Sequence, residues 1–156
     1  MQKITTFLWF DGHAEDAMNH YVSIFKYSKV LSVTRWPEGH AQQGQVLVAS
    51  FELDGVTFQA LNGGPQYKFS PAVSLTIPCA DQAEVDYYWD RLTDGGQEIA
   101  CGWLQDQYGL SWQVIPTAFM EMISDPDPEK VRRVTEAMLT MKKMDIAALR
   151  AAYADG

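Results

Sequence analysis

WLQDQYGLSWQVI, residues 103–115, sets two runs of bulky side chains on either side of Asp106-Gln107-Tyr108-Gly109, a sequence with β-turn composition. FELDGVTFQAL, residues 51–61, does the same around Asp54-Gly55, a strong two-residue hairpin turn. The second run of each stretch has one pattern, Phe58-Gln59-Ala60-Leu61 and Trp112-Gln113-Val114-Ile115: aromatic, amide, apolar, apolar. An amide in the middle of an apolar strand does nothing for packing. Its recurrence at matching places argues for an internal duplication.

The flanking chain repeats in the same way. Residues 14–25 put Ala14, Ala17, Met18, Tyr21, Val22 and Phe25 on one helical face, and residues 82–92 do so with Val85, Tyr88, Trp89 and Leu92. Asp81 with Glu84 three residues on makes a capping box for the second helix. One strand is expected before each helix, TTFLWF (5–10) and AVSLTIP (72–78). KVLSVTRW (29–36), QVLVASFEL (45–53) and VTFQAL (56–61) follow the first helix; EIACGWLQD (98–106) and LSWQVI (110–115) follow the second. The tail departs from this pattern. Asp127-Pro128 pairs an N-cap with proline at the first helical position, Val131, Val134, Met138 and Met141 form a stripe, and Asp145 caps a last short helix through Ile146 and Leu149. The expected class is α+β: a paired βαβββ domain over 1–124, with halves of about 1–66 and 67–124, then a helical extension over 125–156.

Composition narrows the function. The 156 residues suit one ordinary domain or two small halves. Twelve Lys and Arg stand against 20 Asp and Glu, a net charge of -8, which argues against a nucleic-acid binder, since phosphate recognition depends on clustered Lys and Arg. No apolar run approaches the roughly 20 residues of a membrane span. The run at 7–10 is too short for a signal peptide, so a cytoplasmic protein is expected. Cys79 and Cys101 make neither a disulfide framework nor a zinc set.

Other candidates read mostly as structure. His13, Asp16 and His20 share a face of the first helix, which suits a solvated polar face, and His40 lies in a turn-rich loop. Cys101 has no His, Lys or Arg within four residues to activate it, and Gly102 beside it permits a close backbone approach by a ligand or a bend. LNGG (61–64) lacks the strand–GxGxxG–helix context of a nucleotide site and is followed by Pro65, so it reads as a turn leaving a sheet. Trp9, Trp103 and Trp112, with Phe7, Phe58 and Tyr108, compose either an aromatic pocket or ordinary core. Strand alternation allows only some of them to face one side. Met138, Met141 and Met144 suit an adaptable packing seam.

The two βαβββ patterns, LNGG at 61–64, CGW at 101–103, SWQ at 111–113 and AMLTMKKMDIAALRAA at 137–152 together resemble the PhnB-like family of the vicinal oxygen chelate superfamily. That superfamily includes glyoxalase I, extradiol dioxygenases (dihydroxybiphenyl dioxygenase-like folds among them) and the bleomycin- and fosfomycin-resistance proteins; some PhnB-like members carry the label 3-demethylubiquinone-9 3-methyltransferase. The resemblance implies paired units forming a curved sheet around a cavity, and a homodimer. It also implies a divalent metal held by His and Glu on the first and last strands of each unit. The matching strands here contain no His, Glu or Asp; Gln59 and Gln113 fall at the glutamate positions, and Ser74 or Thr76 falls near the second histidine. Neutral amides compete poorly with water for a metal. The expectation is therefore a cavity that binds a small organic molecule through Gln59, Gln113, Trp103, Trp112, Trp9 and Cys101, with no cofactor and no metal ligand set. The alternatives are a metal-dependent enzyme of the superfamily (lyase, isomerase, dioxygenase or thiol transferase) with ligands from elsewhere, an interaction module, or amides that satisfy backbone groups at a sheet edge. The methyltransferase label is disfavoured, because no glycine-rich loop follows a first parallel strand.

Overall fold

Asp54 and Gly55 both adopt positive φ, 51° and 75°, as the tight turn between two right-twisted strands requires. That turn is the centre of the first of two sheets in the computed structural model, which describes residues 2–155. The first sheet is built from β1 (Thr6–Phe10), β2 (Lys29–Arg35), β3 (Val46–Leu53) and β4 (Val56–Asn62), with α1 (Ala14–Ile24) between β1 and β2. Its strand order is β1-β4-β3-β2. β1 and β4 are parallel, and the other pairs are antiparallel. The second sheet, from β5 (Ser74–Cys79), β6 (Gln97–Glu98), β7 (Trp103–Gln105) and β8 (Ser111–Pro116), has the matching order β5-β8-β7-β6, with α2 (Gln82–Thr93) between β5 and β6. β5 and β8 are again the parallel pair. The chain divides into two compact units, one ending at Phe69 and the other starting at Ser70.

In each unit the helix covers one sheet face. Ala14, Ala17, Met18, Tyr21 and Ile24 of α1 are buried, as are Leu8, Phe10, Ala49, Phe51, Leu53, Phe58 and Ala60, which lie on one face of the first sheet by strand alternation. In the second unit Val85, Trp89 and Leu92 of α2 are buried, and so are Ile77, Leu104, Trp112 and Val114 on a single sheet face. The capping box forms as expected at the N-cap, where Asp81 accepts from the Glu84 N–H at 2.9 Å. The Glu84 carboxylate reaches the Ala80 N–H, one residue before the cap.

Two expectations need correction. The stretch 98–106 is not one strand: β6 ends at Glu98 and β7 begins at Trp103. Cys101 and Gly102 between them adopt φ 59° and 82°, outside the strand region. Their N–H groups donate to Met141 O and Lys142 O, both at 2.8 Å, so the tail takes the backbone bonds that a strand partner would. A Cβ on Gly102 would lie 2.8 Å from Val114 O, which identifies the close approach as one by the protein's own strand. A helix that was not expected, α3 (Thr117–Ile123), ends the 1–124 stretch, ahead of the two helices expected in the extension, α4 (Pro128–Leu139) and α5 (Ile146–Ala154). The unexpected helix follows Pro116 directly and has no side-chain cap, so it left no N-terminal signal to read. Phe119, Met122, Val134, Met144 and Leu149 bury Ile115 in one cluster, with Met138 and Met141 packed against it. Asp127 and Asp145 cap α4 and α5 as expected.

The turn of the second hairpin is organised by Asp106, which is only 3% exposed. Its Oδ1 accepts from the Tyr108 and Leu110 N–H groups at 2.9 and 3.0 Å, and its Oδ2 accepts from the Trp112 indole N–H at 2.9 Å. Three donors around one carboxylate offset its desolvation and fix the register of β8. Asp106→Ala is expected to destabilise the fold by about 2–4 kcal/mol, since it strands a buried indole donor and two turn amides. Asp106→Asn, which keeps the Oδ1 acceptor, should cost less. Urea unfolding of the three proteins tests this; an unchanged midpoint in the alanine variant removes Asp106 from that role.

Candidate functional site

Gln59 and Gln113 occupy the same place in their sheets. Each lies on the inner strand next to the parallel pairing, opposite Phe7 in the first unit and Thr76 in the second. Neither is at a sheet edge, so the reading in which they satisfy edge backbone does not apply. Both point away from the helix-covered face and are half-buried. The Gln113 Nε2 donates to Ser74 Oγ at 2.9 Å, and the Gln59 Nε2 reaches Ser50 Oγ at 3.5 Å, the limit of a hydrogen bond. Each amide is thus held by a serine hydroxyl on a neighbouring strand.

The other site candidates separate by face. Trp103 is the register partner of Gln113 and shares its side of the second sheet. Trp112 does not: it is 3% exposed, on the helix-covered face, with its indole bonded to Asp106. The expectation that Trp112 joins Gln113 and Trp103 in holding a ligand is corrected by strand alternation, which sends adjacent residues to opposite faces. In the first unit, Trp9 lies two residues beyond Phe7 on the Gln59 side. Its indole donates to Gly64 O at 2.9 Å and meets Tyr67 edge-on, with ring centroids 5.0 Å apart. A Cβ on Gly63 would stand 2.3 Å from the Trp9 ring, so that glycine exists to admit the indole. Asn62, in the same LNGG segment, accepts from the Ala14 N–H at 2.9 Å and holds the start of α1. LNGG is a clamp on the protein's own tryptophan and helix, a role that its sequence did not reveal.

Cys101 is half-buried in the turn held by the tail. Cys79 is fully buried, and burial, followed by the nearby Glu84 and Asp81 charges, pushes its thiol up to about 12. Both cysteines are free. His13 is the N-cap residue of α1 and is exposed, Asp16 is exposed, and His40 rests against Trp36 with ring centroids 5.4 Å apart. Among the described residues no three His, Cys, Asp or Glu side chains come together as a metal-holding group. Nor is any helix among them long and apolar enough to cross a membrane.

Comparison with known proteins adds the family. The family described as 3-demethylubiquinone-9 3-methyltransferase matches residues 2–115. A PhnB protein from Bacillus cereus, described as a 3-demethylubiquinone-9 3-methyltransferase, is 37% identical, covers 74% of this chain and 99% of its own, and superposes with a TM-score of 0.70. A Pseudomonas aeruginosa protein is similar at 17% identity and a TM-score of 0.65, covering 74% of this chain and 98% of its own. The fosfomycin resistance protein FosX of Listeria monocytogenes, complexed with Mn(II) and 1S,2S-dihydroxypropylphosphonic acid, is 10% identical with a TM-score of 0.52, covering 74% and 92% of the two chains. The last two show the fold alone. No curated protein matches the chain.

The Cys79 thiol offers a direct check on the helix-covered core. Its pKa in the fold lies above the ordinary thiol value of 9.0, at about 12, so the stability it contributes is complete below pH 9 and is lost as pH rises from 9 towards 12. Native protein at pH 8 is expected to resist iodoacetamide at Cys79 and to react there only after unfolding. Rapid native labelling at Cys79, read by peptide mass spectrometry, would contradict this placement.

Proposed function

The chain belongs to the 3-demethylubiquinone-9 3-methyltransferase, PhnB-like family of the glyoxalase and fosfomycin-resistance fold, and from that premise we propose that it binds a small organic molecule without a catalytic metal. The observation that carries this reading is the pair Gln59 and Gln113, register-equivalent, half-buried amides on the faces of the two sheets opposite α1 and α2. On the strands where the family resemblance calls for His and Glu, the register positions hold Phe7, Gln59, Thr76 and Gln113. That donor set does not fit a catalytic divalent ion, which needs imidazole, thiolate or carboxylate ligands to displace its water. It does fit a polar organic ligand, because each amide both donates and accepts. Phe7, 46% exposed, and Trp103 supply apolar surface beside the amides.

Methyl transfer is not part of the proposal. The space at Gly63 is filled by the Trp9 indole and that at Gly64 by the Gln66 side chain, which leaves no cradle for a nucleotide-bearing methyl donor. The same reading takes the chain to be a cytoplasmic homodimer; the exposed edge strand β2, with Val30, Leu31 and Val33 at 40%, 44% and 36% exposure, suits contact with a second copy.

Calorimetric titration of untagged, chelator-treated protein with Ni²⁺, Zn²⁺, Mn²⁺ and Fe²⁺ is expected to show no binding at micromolar concentration. One metal bound tightly per chain overturns the proposal and points to glyoxalase- or dioxygenase-type chemistry. In a thermal-shift screen of uncharged and charged metabolites, stabilising compounds should lose roughly 5- to 20-fold in affinity on Gln113→Ala or Gln59→Ala, the loss of about one good hydrogen bond. Hits that ignore both substitutions place the binding surface elsewhere.

A further inference from the structure

Asn62-Gly63 is the one asparagine–glycine pair in the chain; the only other asparagine, Asn19, precedes His20. The pair is chemically labile, because a glycine has no side chain to keep its nitrogen from the asparagine side-chain carbonyl carbon. The nitrogen loses its proton to hydroxide, bonds to that carbon and expels ammonia, which leaves a five-membered imide. Water then opens the imide to aspartate or to isoaspartate, whose main chain runs through the former side chain.

The fold engages both reacting groups. Asn62 ends β4 opposite Phe10 and is 3% exposed, which leaves little access for hydroxide or water. Its Oδ1 accepts from the Ala14 N–H at 2.9 Å. The attacking group, the Gly63 N–H, donates to Phe10 O at 3.0 Å. Ring closure has to break the Gly63 bond and turn the Asn62 side chain out of its bond to Ala14. The Trp9 indole holds the next residues in place. It donates to Gly64 O at 2.9 Å and packs so close to Gly63 that a Cβ there would stand 2.3 Å from its ring.

We propose that Asn62-Gly63 is a spontaneous deamidation site that the fold keeps shut, and that local release of the Trp9 clamp opens it. The conversion needs only hydroxide and water. Its two products have different fates. An aspartate at position 62 keeps an acceptor for the Ala14 N–H and brings a negative charge to the start of α1, where the helix dipole favours it. An isoaspartate lengthens the main chain by a methylene beside Gly63, where the Trp9 ring leaves no room, so the clamp cannot form again. Trp9 lies on the Gln59 side of the first sheet, so the isoaspartate chain loses that surface as well.

The test incubates the full chain at mildly alkaline pH, native and in guanidinium chloride, and follows Asn62 and Asn19 by peptide mass spectrometry. Unfolded chains should convert Asn62 at least about 30-fold faster than native ones, and faster than they convert Asn19. Trp9→Phe, which removes the indole donor, should raise the native rate at Asn62 about 5- to 20-fold. Asp106→Ala, which loosens the second unit, should leave that rate within about twofold. After dilution from denaturant, the folded fraction should contain aspartate and exclude isoaspartate at position 62, the two being told apart by fragmentation. A native rate equal to the unfolded one overturns the proposal, as does an unfolded chain that keeps Asn62 intact. Equal acceleration by Trp9→Phe and Asp106→Ala makes the opening global and overturns it too. So does isoaspartate carried undiminished into the folded fraction.

Discussion

The parallel pairing of the first and last strand in each unit is the constraint on which the rest of the structure depends. A parallel neighbour cannot be reached by a tight turn, so β1 must cross over through α1, and β5 through α2, before the antiparallel strands return. The crossover helix covers one face of its sheet and commits that face to core. It also moves the last strand of each unit to the interior of the sheet, between β1 and β3 or between β5 and β7. Gln59 and Gln113 are therefore central rather than marginal, and their side chains take the face that no helix of the crossover covers.

Strand alternation then sorts the aromatic residues with no further instruction. Trp112 precedes Gln113 in sequence and so goes into the core, where Asp106 holds its indole; Trp103 is opposite Gln113 across the ladder and stays with it. The same rule places Phe58 beneath α1 and Phe7 beside Gln59. Two aromatics that look interchangeable in the sequence have separate duties. One fixes the hairpin, and the other adjoins the candidate site.

The tail is tied into the repeat at one loop. Residues 99–102 join antiparallel β6 and β7, as 36–45 join β2 and β3 in the first unit, and Cys101 and Gly102 donate to the backbone of Met141 and Lys142. Gln82 works the other end of the tail, donating to Met144 O at 3.0 Å and accepting from the Ile146 N–H at 2.8 Å. Lys143 pairs with Asp86 at 2.9 Å; that carboxyl sits below its ordinary pKa because the Gln82 amide, then Lys143, stabilise its charge. The last helices are thus fastened to the second unit by backbone and side-chain bonds as well as by the cluster around Ile115.

The repeat of aromatic-Gln-apolar-apolar, the Asp54-Gly55 turn, the apolar faces of α1 and α2 and the caps at Asp81, Asp127 and Asp145 were all legible in the sequence, because each depends on residues a few positions apart. The family was legible for the same reason, through short motifs in order. Which side of a sheet a tryptophan takes, why Gly63 must be glycine, what Asp106 and Asn62 hold, and that Ser111 is fully buried were decided only by the tertiary structure. Each of those depends on a neighbour set by strand register, such as Trp9 beside Gly63 or Asn62 beside Ala14, 48 residues away along the chain. Local pattern fixes which elements form; register between distant strands fixes which side chains meet.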